Sequence, residues 1–203
     1  MTSNPSQVRS IGCVTDDGRV LEADYRSEGG VFRHRVRLLS RDGLTIADWD
    51  AVLLSEQEDW PASPPVQELS IERIGTRDCL LGVGRAGKSH WSLSIETLSN
   101  GTDAASLPPQ PRADTSDSSR FPAGRALRFD IACRCPEPPV WLGSTYRTDA
   151  GGLIHLEPGG ATRAEWCGTR MLRIEPTALP STWPGTIRWQ YDLVVSDSPE
   201  TES

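Results

Sequence analysis

The segment Gly82-Val-Gly-Arg-Ala-Gly-Lys-Ser89 has the letters and spacing of a phosphate-binding loop, Gly-x-x-x-x-Gly-Lys-Ser. That chemistry needs the Lys and Ser to open a helix, so that the first amides and the helix dipole grip the phosphates. The chain continues instead as His90-Trp-Ser-Leu-Ser-Ile-Glu96, alternating apolar and polar side chains at period two, the signature of a half-buried strand. With Cys79-Leu-Leu81 before it, the glycine-rich segment reads as a hairpin turn, where glycines adopt positive φ without steric cost. No apolar strand ending in Asp is present to hold magnesium. Arg85 and Lys88 are therefore expected on a hairpin tip, and nucleotide hydrolysis is not.

Other residues capable of chemistry also have plainer roles open to them. Cys133 and Cys135 lie two apart on one strand face, but they share it with Phe129 and Ile131, which points to small core residues rather than metal ligands. Zinc would require two further ligands, and His90, His155 and Cys167 lack paired spacing, so no metal or other cofactor is expected. Gly143-Ser144 is not a nucleophile elbow, since no Gly follows two residues later. His90, beside the turn and Trp91, is the residue around which a loop-borne enzyme site is the alternative reading. The stripe Arg33, Arg35, Arg37 suits carboxylates and phosphates, but with 28 acidic side chains on the same chain cross-strand ion pairing is the preferred explanation.

Seven tryptophans stand at 49, 60, 91, 141, 166, 183 and 189. Trp91 and Trp189 fall on apolar strand faces and belong to the core. Trp60, Trp141 and Trp183 sit close to prolines in expected loops, where aromatic rings can stack on sugars or cap the ends of the core. The candidate ligand-binding surface is accordingly the loop end carrying Trp60, Trp141, Trp183, Arg85, Lys88 and His90. Its expected occupant is a small polar ligand, a sugar among them, or a protein partner.

The elements that must position these groups are strands. Alternation is clearest at Val31–Leu39, at Trp91, Leu93 and Ile95, at Leu127–Cys135 and at Ile187–Val195. Further strands are read at 11–14, 20–25, 69–74, 79–83, 141–147, 153–157 and 171–175, which makes about ten or eleven. Only 46–57 has helical spacing, through Ile46, Trp49, Val52 and Leu53, and 51–54 fits a strand equally well. So little helix excludes a doubly wound α/β sheet and leaves an all-β protein, an antiparallel β-sandwich or flattened barrel.

One domain over 1–203 is expected, with a Ser-, Pro- and Asp-rich, disordered insertion at 98–124 and loose ends at 1–6 and 197–203. The 28 acidic against 21 basic side chains, net charge -7, disfavour nucleic acid as a partner. No apolar run long enough for a bilayer and no apolar leader are seen, and five cysteines form no dense framework; a cytoplasmic protein with free thiols follows.

The strings Arg85–Glu96, Phe129–Arg134 and Trp141–Arg147, with the loop Trp60-Pro-Ala-Ser-Pro-Pro65, resemble a family of small uncharacterised bacterial proteins. The resemblance covers about residues 58–147 without the polar insertion. It implies no activity, cofactor or catalytic residue, only a fold in which the Gly-Lys-Ser run does not bind nucleotide. The chain thus reads as a non-catalytic binding domain, with an enzyme or an assembly protein as the other classes.

Overall fold

In a computed structural model describing residues 8–53, 59–98, 121–148 and 152–196, the chain forms thirteen strands. They are β1 (Val8–Val14), β2 (Val20–Glu28), β3 (Val31–Leu39), β4 (Thr45–Ala51), β5 (Glu68–Ile74), β6 (Arg77–Ala86), β7 (Ser89–Leu98), β8 (Ala126–Cys135), β9 (Ser144–Thr148), β10 (Ile154–Gly159), β11 (Thr162–Trp166), β12 (Met171–Pro176) and β13 (Gly185–Val195). One sheet runs β1-β2-β3-β4-β9-β12-β11 and the other β10-β13-β8-β7-β6-β5, with neighbouring strands antiparallel throughout. The two sheets stay separate, so the architecture is the sandwich and not the flattened barrel. No helix among the described residues is long and apolar enough to cross a membrane. The expected insertion and loose ends fall almost wholly on 99–120, 1–7 and 197–203, outside the described residues; Leu98 ends β7 and Ala123 bridges Val14.

Alternation decides which face each strand buries. On β3, Phe32, His34, Val36 and Leu38 point inward while Arg33, Arg35 and Arg37 point outward; on β8, Leu127, Phe129, Ile131, Cys133 and Cys135 are buried. Register then places large rings opposite one another. Phe129 faces Tyr191 across β8 and β13, their rings stacked at 5.0 Å and 8°. Trp91 meets Trp189 edge to face at 5.8 Å. Each such pair adds about 0.5–1.5 kcal/mol beyond its buried area.

Two strands were not anticipated. The helical spacing at 46–57 is overridden over Thr45–Ala51, which forms β4; 54–58 lie outside the described residues. A bulge between Leu38 and Leu39 shifts the pairing, so Ala47 and Trp49 face the core and Asp48 and Asp50 face the arginines of β3. Alanines in the inward positions hide that alternation. β11 has almost no buried residue and hence no apolar face to read.

Polar side chains also join the sheets. His34 Nε2 lies 2.9 Å from Tyr146 Oη, which lies 2.7 Å from Tyr191 Oη, a chain crossing from β3 and β9 to β13. Trp189 Nε1 donates to Ser144 Oγ at 3.1 Å, and Thr97 Oγ1 donates to the Gly12 carbonyl at 3.1 Å. Buried polar groups must be paired to avoid a desolvation cost, so these links fix how the sheets face each other.

Candidate functional site

The glycine-rich segment is the β6–β7 hairpin, with Gly87 at φ 53° in its tip and Ala86 paired to Ser89. Lys88 is exposed, Ser89 is buried, and the strand begins where a nucleotide site would begin its helix. The other glycines serve packing. A Cβ at Gly84 would overlap the Pro65 carbonyl oxygen, and one at Gly82 would lie 3.0 Å from Val66, because the 59–67 strap lies across β6. The strap is tied to the opposite sheet as well: the Phe32 amide donates to the Val66 carbonyl at 2.7 Å, and Ser63 Oγ donates to the Thr145 carbonyl and accepts from the Thr145 amide, both at 3.0 Å. Arg85 is exposed with its amide and carbonyl held by the Gln67 side chain; His90 is exposed opposite Arg85 and Arg134.

Trp60 and Trp183 are half-buried and lean on the core. Trp141 is half-buried with its indole N–H donated to Glu175 at 3.2 Å. Trp166, which the sequence did not single out, is 53% exposed at the end of edge strand β11, its ring against Trp49 at 6.5 Å. The cysteines are all free thiols; Cys133 and Cys135 are buried with sulfurs 3.4 Å apart, and burial pushes the Cys133 thiol up, so the pair stays protonated within the core. No group of three or more His, Cys, Asp or Glu side chains suited to a metal is found among the described residues.

One surface cluster has the composition of a hydrolytic triad. His155 Nδ1 is 3.1 Å from Ser196 Oγ and its Nε2 is 3.2 Å from Glu157. Ser196, however, donates its proton to the Gly152 carbonyl at 2.6 Å, which leaves Nδ1 to donate to the hydroxyl. A general base must accept from that hydroxyl, so the direction is wrong for attack.

The outer face of β2, β3, β4 and β9 holds a cleft of about 600 Å³. Five arginines (26, 33, 35, 37 and 147) and three carboxylates (Asp24, Glu28 and Asp50) line it, with Ala51, Val52 and Leu53 as an apolar margin. Cross-strand register sets the charges in rows: Asp24, Arg35, Asp50 and Arg147 in one, Arg26 and Arg33 in the next. Arg35 bonds Asp50 at 2.6 Å, a contact that holds its guanidinium pKa above the usual value; Arg37 bonds Glu22 at 2.6 Å and also Asp24; Arg33 meets Glu28 at 3.0 Å. Those three arginines are thus compensated, as their strand stripe allowed. Arg26 and Arg147 have no ion-pair partner among the described residues. Arg26 stands directly opposite Arg33, an unfavourable like-charge pair. The β3 stripe is visible in the sequence but these two are not, because only the folded sheet shows that Arg26 faces Arg33 and that the Asp50 opposite Arg147 is bonded to Arg35. Compared with models of protein families, with curated proteins and with solved structures, the chain matches none.

Proposed function

We propose that this protein is a non-catalytic binding domain that receives a small polar, anionic ligand in the arginine-lined cleft on the outer face of β2, β3, β4 and β9. One observation carries the reading: in a chain of net charge -7, this cleft keeps Arg26 and Arg147 without a carboxylate partner among the described residues. Planar guanidinium forks are suited to carboxylate and phosphate oxygens, and an anion beside Arg26 relieves its repulsion with Arg33. The loop tryptophans rank below this surface, since Trp60 and Trp183 already support the core and the polar edge of Trp141 is already bonded to Glu175.

Side-chain NMR separates the two. Acetate is expected to move the Nε–Hε signals of Arg26 and Arg147, while a neutral disaccharide leaves the indole signals in place. Indole shifts at Trp60, Trp141 and Trp183 with the sugar, and still arginines with acetate, would transfer the site to the loops.

A further inference from the structure

We infer that the ligand of this cleft carries two separate anionic ends joined by an apolar body, as in a linear dicarboxylate, and that Arg26 and Arg147 each hold one end. The inference rests on the cleft being the binding surface. Arg26 and Arg147, neither with an ion-pair partner among the described residues, stand well apart on the sheet.

Arg26 is on β2 and Arg147 on β9, with β3 and β4 between them, so three inter-strand steps separate them. They are also one alternate position out of line, since Arg26 is opposite Arg33 while Arg147 shares the row of Arg35 and Asp50. At about 4.8 Å per strand and about 7 Å per alternate residue, the two Cα atoms are roughly 16 Å apart. Both residues line the same cleft, so a ligand with the span of a short carbon chain is the class that can meet both charges at once. A single compact anion meets one guanidinium and leaves the other uncompensated.

Between the two charges, the floor is already neutralised. Arg35 is paired with Asp50, and Arg37 with Glu22 and Asp24. Ala51, Val52 and Leu53 offer half-buried apolar surface along the margin, which suits methylene groups. These features select one charge per end with an uncharged middle.

The test is calorimetric titration of the full chain with linear dicarboxylates of increasing length, with hexanoate, and with inorganic phosphate. The titrations are repeated on Arg26→Gln, Arg147→Gln and the double variant, each checked for unchanged thermal unfolding. The expected result is an affinity maximum at one chain length, lost by about tenfold in either single variant, which then binds the dicarboxylate no better than hexanoate. Equal binding of hexanoate, phosphate and every dicarboxylate, still lost in the variants, would overturn the two-ended ligand while leaving the cleft as an anion site. Absence of binding by all of these anions would overturn both.

Discussion

His34 is an ionisable ring inside the sandwich, and its protonation sets a measurable acid limit on stability. It is buried between Tyr25, stacked at 5.0 Å, and Tyr146, edge-on at 5.4 Å, with Nε2 hydrogen-bonded to the Tyr146 hydroxyl. Burial lowers its pKa from 6.5 to about 4, with the charge of Asp50 opposing the shift. The folded value lies below the unfolded one, so the unfolded chain takes up the proton first. The stability contributed by the neutral ring is therefore present above about pH 6.5 and lost as the pH falls towards about 4. A gap of roughly 2.5 pH units at about 1.4 kcal/mol per unit corresponds to about 3–4 kcal/mol in full. About 2 kcal/mol of it is lost between about pH 7.5 and about pH 5, before most carboxylates titrate. Urea denaturation at those two pH values, on the natural chain and on His34→Gln, isolates the effect, because exposed His90 and His155 are common to both. The natural chain is expected to lose about 2 kcal/mol more than the variant on acidification. Identical losses in the two proteins would refute the placement of a neutral ring in the core.

The hydroxyls around that ring give opposite expectations for similar substitutions. Tyr146→Phe strips partners from both His34 and Tyr191 and is expected to cost roughly 2–4 kcal/mol in chemical denaturation. Tyr25→Phe removes a buried hydroxyl with no hydrogen-bond partner among the described residues, and should leave stability unchanged or raised by up to about 1 kcal/mol. Gly84→Ala places a Cβ against the Pro65 carbonyl and should cost about 1–3 kcal/mol, whereas Gly159→Ala, whose Cβ meets nothing nearer than 3.4 Å, should unfold at nearly the natural temperature. Equal effects of those two glycine substitutions would remove the strap as the reason for the glycines of β6.

What was legible in the chain follows from where the information resides. The inward faces of β3, β8 and β13 were readable because each carries its own alternation, and even His34 falls on the correct face by period alone. β4 was obscured because a bulge breaks its phase and alanine marks its buried positions weakly. The purpose of Gly82 and Gly84 was out of reach, since the strap that crosses them is distant in sequence and the letters matched a different motif. The cleft was half visible. The stripe Arg33, Arg35, Arg37 and its neutralisation could be anticipated, but that Arg26 and Arg147 have no ion-pair partner among the described residues depends on β2, β3, β4 and β9 being neighbours. Strand order is a property of loop paths and sheet closure, which no local pattern records.

The cleft's affinity for anions is tested most directly by diffraction from crystals soaked in bromide, whose anomalous signal marks where negative charge settles. Ordered bromide is expected between Arg26 and Arg33 and a second ion beside Arg147, with neither adjacent to the paired Arg35. Bromide bound elsewhere on the surface, with both of those positions vacant, would contradict it.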